Sequence, residues 1–485
     1  MAEQQSTEAS VPNAATAENL NSVHGQPAPT PPRPLHQPIS QFVLDAKFAD
    51  LPSDVVEKSK ALIAYLLGLG FSGYHNYEAD IVRAALGPLE QGTQGATVIG
   101  QRGRLALADA AFANGVMMRA WFLDDVLFPN AIHAGTITLP AALAVGELAR
   151  VSGRELLLVM ALAYEVMGKL GHEINVWEAP GPRRPTMIFG GYGPVIAAGR
   201  LLGLSAGQMV NALGYAANLC MGVPEQAQMD HFYGFFSRNG VLSALLARAG
   251  GAPYSPYTLE GELGLYASFF GRLPPNLTQA VATLGANWEI LTAEYKRYHT
   301  TGANTVAIEL LLGLMRTHRL TAAQVVRVRV ALPESRRARR ENFTVGPFKS
   351  PMAAYSSMPY ALARALLEGR VEADQYTESQ IGNPAVLDAI RKFEFVFEDR
   401  PTRYVRLEMI TRDRATRIAE IDSLILPFPR SDWGAWLRKD GEPLLGRRAV
   451  LELEQQIQNL EQLPDITALT ANLRPSLSRR AMSPT

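Results

Sequence analysis

The chain has 485 residues, 47% of them hydrophobic and 19% charged, enough apolar material for more than one buried core. Its 46 basic and 46 acidic side chains cancel and its pI is about 7.1, so nothing in the charge favours a nucleic acid or an anionic membrane as partner. The single cysteine, Cys220, excludes an intrachain disulfide and a cysteine-based zinc site, and fits a reducing cytoplasm.

Residues 1–38 are rich in Gln, Ser, Ala, Asn and Pro, with a dense run from Pro29 to Pro34. Such a segment cannot bury a core and is expected to be a disordered tail. No basic segment leads into an apolar one, so no secretory signal is visible. The longest strongly apolar run, Leu156 to Tyr164, falls far short of the ~20 residues that span a bilayer; it reads as a buried helix.

From Pro38 to about Gly271 the pattern is helical, defining a domain over 39–274. Pro52 stands at a helix start. Gly68, Gly70 and Gly73 match a dinucleotide-binding spacing, but they follow a helix rather than a strand, so close helix packing is the better account. Ser205 in Gly203-Leu-Ser-Ala-Gly207 likewise lacks a preceding strand and reads as an N-cap, not a nucleophile.

The stretch Phe112–Ala149 carries the most chemistry. Asn114-Gly115 are expected to break a helix before the acidic pair Asp124-Asp125, and Pro129-Asn130 mark a turn before His133. Two carboxylates and a histidine on a loop between helices can hold a small substrate and move a proton. The plain alternative is a helix cap and a surface histidine.

Further along, Arg183 and Arg184 precede the small-residue run Gly190–Gly193; an arginine fork there suits a carboxylate, and a solvated loop is the alternative. Asp230, His231 and Tyr233 form a polar-aromatic patch. After Pro274 the character changes. Val326, Val328 and Val330 alternate with Arg327 and Arg329, and Tyr404–Ile410 alternates too, so 275–425 reads as an α+β region. The basic run Arg336–Arg340 reads as a solvated loop. Lys296 precedes a helix near Ala303–Leu314, where backbone amides favour anions. Residues 426–475 return to helix, with Leu451, Leu453, Ile457, Leu460 and Leu463 facing back onto the helical domain. Residues 476–485 read as a second disordered tail.

Taken in order, these pieces resemble the MmgE/PrpD family, which includes 2-methylcitrate dehydratase, cis-aconitate decarboxylase and an iminodisuccinate epimerase. The resemblance runs through Ala110–Gly115, the acidic pair, Leu139-Pro140, Pro185-Thr186, Phe189–Gly193, Lys296–Tyr298 and Ser357–Tyr360, and covers nearly all of 40–440. The chain departs from the family where an Asp becomes Phe122, a Thr becomes Val126, a Lys becomes Met229 and a His becomes Arg184.

The resemblance implies a mainly α fold, a large all-helical domain with an inserted smaller α+β lid domain. It implies a cofactor-independent, cytoplasmic lyase of dehydratase type that removes a proton next to a carboxylate on a small anionic substrate, carboxylate- or phosphate-bearing. A decarboxylase, an epimerase or isomerase, or a non-catalytic ligand-binding descendant are the alternatives. His133, Lys296, Asp125 and Tyr360 are the expected catalytic residues. Asp124, Arg184, Asp230, His231 and Arg297 are the expected substrate contacts. No metal or cofactor is expected, and family members resemble homodimers.

Overall fold

A computed structural model describes residues 33–87, 95–172, 185–220, 229–401, 404–422 and 432–475. The first helix, α1 (His36–Asp45), starts inside the expected tail, because Leu35 and His36 are buried and the Leu35 N–H donates to Glu260 Oε1 at 3.0 Å. The remainder of both expected tails lies outside the described residues.

The helical domain is built mainly from α2 (Ser53–Gly73), α3 (Tyr77–Leu86), α4 (Leu107–Arg119), α5 (Gly135–Ala149), α6 (Gly153–His172), α7 (Tyr192–Leu201) and α8 (Met229–Arg248), with a further helix at Ala206–Asn218. Leu156 to Tyr164 in α6 are all fully buried, so this segment is a central core helix. Asn114 and Gly115 do not break α4, contrary to their local preference. Asn114 accepts from Ile99 N–H and donates to Thr97 O, both at 2.9 Å. A Cβ on Gly115 would lie 2.9 Å from Ser237 Oγ and 3.1 Å from Gly234 Cα. The glycine is kept for the close crossing of α4 and α8, and packing overrides its low helix propensity. Ser205 is an N-cap, its side chain accepting from Gln208 N–H.

A second apolar core runs from Ala307 to Met409. Helix α9 (Gly302–Thr317) and helix α10 (Met358–Glu368) pack with a four-stranded sheet in the order β4-β3-β5-β6. The strands are β3 (Val325–Pro333), β4 (Phe393–Glu398), β5 (Val405–Thr411) and β6 (Thr416–Ile421). β3 pairs parallel with β4 and antiparallel with β5, and β5 pairs antiparallel with β6. The sequence pattern did not reveal β4, whose burial does not alternate strictly. A bulge between Val325 and Arg327 turns Val326 outward, 52% exposed, so the alternation begins one residue later than the sequence suggests. Arg336 is buried rather than solvated, donating to Ala303 O at 3.0 Å.

After the second domain the chain returns through α11 (Asp432–Leu445) and α12 (Arg447–Gln458), and their Trp433, Leu437, Val450, Leu453 and Ile457 join the first core. The protein is therefore mainly α, a large helical domain with a smaller α+β domain set into its sequence.

Candidate active site

The site is made where the two domains are stitched together. After α4 the chain turns through Phe122, whose φ of 54° is left-handed. It then enters the short strand β1 (Val126–Leu127), which pairs antiparallel with β2 (Ala293–Glu294), Val126 opposite Glu294 and Leu127 opposite Ala293. Continued by two residues, that register sets Asp124 opposite Lys296.

Asp124 is fully buried and is the hub. Lys296 Nζ lies 3.0 Å from its Oδ1 and donates to Phe122 O at 2.8 Å. Arg119, the last residue of α4, forms a short ion pair with the same oxygen. His133 Nδ1 lies 3.1 Å from Oδ2 and 2.8 Å from the carbonyl of Asp125. The Arg119 guanidinium is held between two rings, 4.2 Å from the centroid of Phe122 and 4.4 Å from that of Tyr233. Tyr233 also meets the His133 ring edge-on at 6.0 Å.

Asp125 does different work. Its Oδ1 accepts from Gly135 N–H at 3.2 Å, at the start of α5, and its Oδ2 accepts from the Tyr164 hydroxyl at 2.7 Å. The pair thus splits, with Asp124 facing the cations and Asp125 anchoring a helix start.

The electrostatics follow from burial. Burial disfavours the charge on Asp124, but Arg119, His133 and Lys296 outweigh it and hold the carboxyl well below the usual range. Burial pushes Asp125 up to about 7, with the charge of Asp124 adding to it and the Tyr164 hydrogen bond opposing it. Burial also lowers His133 and Lys296 from their usual values, and Asp124 partly restores both. His133 is therefore neutral at pH 7. Its Nδ1 faces only acceptors, a carbonyl and a carboxylate, so the proton sits there and Nε2 keeps the lone pair.

The structure brings together Asp124, His133 and Lys296 of the residues singled out from sequence, with Asp125 directly beneath. It does not bring in the others it describes. The Tyr360 hydroxyl donates to Gln375 O at 2.6 Å and accepts from Arg364, inside the second domain. The tyrosine that reaches the acidic loop is Tyr355, its ring 5.0 Å from Phe122 and its hydroxyl donating to Trp121 O at 3.0 Å. His231 turns to Glu78 on α3 at 2.8 Å, and Arg297 turns to Glu309 at 3.6 Å. Arg184 and the side chain of Asp230 lie outside the described residues. Arg119 and the roles of Tyr164 and Tyr233 were not foreseen from sequence, although Tyr233 stood there in the polar-aromatic patch with His231. Arg119 carried a usable signal, a cation at the last helical position shortly before two carboxylates. Among the described residues no cluster of His, Cys, Asp and Glu could hold a metal ion.

A buried carboxylate clamped by two cations, with a neutral imidazole beside its other oxygen, has the parts that proton transfer next to an anion calls for. Comparison with known proteins sets the chain among the lyases, of the dehydratase or decarboxylase kind. The MmgE/PrpD N-terminal domain model matches residues 37–278 and the C-terminal domain model residues 300–423. The chain belongs to the MmgE/PrpD family. It is similar to a cis-aconitate decarboxylase of Aspergillus terreus, 27% identical over 87% of this chain and 92% of the relative. It is also similar to the cis-aconitate decarboxylase of Homo sapiens, 26% identical over 88% and 92%. A cis-aconitate decarboxylase-like protein of Aspergillus oryzae is 25% identical over 89% and 96%.

Proposed function

We propose that the protein eliminates a small group from a carboxylate-bearing substrate by proton transfer at His133, without a cofactor. The observation that carries this is the placement of His133: Nδ1 lies 2.8 Å from the Asp125 carbonyl and 3.1 Å from Asp124 Oδ2, so a proton held by that carbonyl leaves Nε2 as a base at neutral pH. Lys296 and Arg119 anchor the substrate carboxylate and stabilise the negative charge that develops next to it as the proton leaves. In a dehydration, Nε2 takes the proton from the carbon beside the carboxylate, the C–H pair becomes the new C=C bond, and hydroxide departs from the neighbouring carbon. The imidazolium then returns its proton to the leaving hydroxide, giving water.

A second reading is decarboxylation, favoured by the names of the related proteins. There carbon dioxide leaves with its bonding pair left on carbon, and His133 in its protonated form supplies the proton that quenches the carbanion.

One experiment separates the two. A panel of small mono-, di- and tricarboxylates, cis-aconitate included, is incubated with the protein in deuterium oxide and followed by proton NMR and carbon dioxide release. Deuterium entry at the carbon beside a carboxylate, with loss of water, supports elimination. Carbon dioxide release supports the second reading. No exchange and no product across the panel refutes both.

A further inference from the structure

We propose that Tyr65 is a positioning residue for this reaction, whose single hydroxyl ties the segment leading into β1, which bears Asp124, to the segment leaving β2, which bears Lys296, and thereby sets their spacing. The proposal rests on the reading of those two residues as the charged centre of the site.

The β1–β2 ladder covers only two residue pairs, and it stops before the rung that carries the charges. Tyr65, fully buried in the middle of α2, takes over at that point. Its hydroxyl donates to Leu123 O and to Lys296 O, the latter at 2.8 Å, and accepts from Lys296 N–H at 3.2 Å. One phenol therefore bridges the residue before Asp124 and the backbone of Lys296 itself. Seven residues earlier on the same face of α2, Lys58 Nζ donates to Ala293 O, so the helix grips the 293–296 segment at both ends. Burial raises the phenol well above its usual value, which keeps it a donor across the working pH range.

The ring is itself fixed. Trp436 of α11 stacks on it at 5.2 Å and 15°, and Tyr295 meets it edge-on at 5.1 Å. The indole N–H of Trp436 donates to Tyr65 O at 2.9 Å. Gly68 provides the notch, since a Cβ there would lie 2.3 Å from Trp436 Cδ1. The returning C-terminal helix thus braces a residue that holds the site together.

The test uses the full chain with Tyr65→Phe, which removes the oxygen and keeps the ring. Tyr192→Phe is the matched control; it removes another fully buried hydroxyl, one that pairs with His36 Nε2 at 3.0 Å. We expect crystals of Tyr65→Phe to show the Lys296–Asp124 contact opened from 3.0 Å to beyond hydrogen-bond range. We expect kcat to fall about 10–100-fold with little change in KM, as a small misplacement of reacting groups predicts, and the pH profile of kcat/KM to shift. Tyr192→Phe should lower the melting temperature by a similar amount and leave that profile alone. Should Tyr65→Phe fail to fold, Trp436→Leu keeps the hydroxyl, removes the brace and should shift the profile in the same direction. An unchanged contact with an unchanged profile overturns the proposal. So does an equal shift in the Tyr192 control. The crystallographic arm needs no substrate, so it fails separately from the reading of the reaction.

Discussion

Lys296 and Asp124 stand 172 residues apart in the chain and 3.0 Å apart in space, both buried. Neither charge is tolerable alone at that depth. Their pairing, shared with Arg119, is as much a condition of folding as of chemistry, which gives the two partners different mutational signatures.

Asp124→Ala leaves Arg119 and Lys296 buried without their carboxylate. It should destabilise the protein by about 3–5 kcal/mol, as breaking buried pairs does. Lys296→Ala leaves Asp124 its bonds to Arg119 and His133, so it should cost clearly less stability while lowering kcat/KM. Urea unfolding of both variants beside steady-state kinetics checks the order. A larger stability loss for Lys296→Ala would refute the hub role of Asp124.

His133→Ala should lower the rate by about 10²–10⁴ while moving the melting temperature little, since the ring is partly exposed and meets the core at the ring of Tyr233. Because burial lowers the folded pKa of His133 below 6.5, the neutral base persists as the pH falls through 6.5. The acid limb of kcat/KM should therefore lie below pH 6.5. A limb above that value would assign it to another group, Asp125 first, whose carboxyl burial pushes up to about 7.

Asp125 gives a pH-dependent stability. Its folded pKa, about 7, lies above the ordinary 3.8, so the fold favours the protonated form. The associated destabilisation is absent below about pH 4, grows as the unfolded chain ionises and is complete above about pH 7. Asp125→Asn removes the charge and keeps an acceptor for Gly135. Its stability relative to the parent should rise between pH 4 and pH 7. Parallel curves over that range would contradict the assignment.

Phe122 and Val126 replace an acidic and a hydroxyl side chain of the family pattern, and in the structure Phe122 covers Arg119 and Tyr355 rather than offering a hydrogen bond. A site built for polar groups discriminates strongly when they are missing. We expect poor turnover of both 2-methylcitrate and cis-aconitate. Turnover of either at the ~10⁴ M⁻¹s⁻¹ or more of working enzymes would overturn this reading of the substitutions.

The resemblance also implies a homodimer. Light scattering should return twice the chain mass of 52.8 kDa, and a purely monomeric result refutes the expectation.

Much of this protein was legible in the sequence because it is local. Helix periodicity in α6, the cap at Ser205 and the alternation of β5 are set by neighbours a few residues away. The acidic pair, His133 and Lys296 were visible as reactive residue types in a motif order. What the sequence left open was decided by contacts between distant segments. The division of labour between Asp124 and Asp125 depends on which way each side chain points, and a two-pair ladder with β2 and the start of α5 set that. Gly115 reads as a helix breaker until α8 packs against it, Asn114 until its amide pairs with Thr97 and Ile99, and Tyr360 reads as a site residue until its hydroxyl finds Gln375. The bridge made by Tyr65 joins two stretches 58 and 231 residues from it, and its brace, Trp436, lies 371 residues away. No local pattern encodes such a junction. It exists only because burying charges and backbone polar groups leaves them no partner but one another.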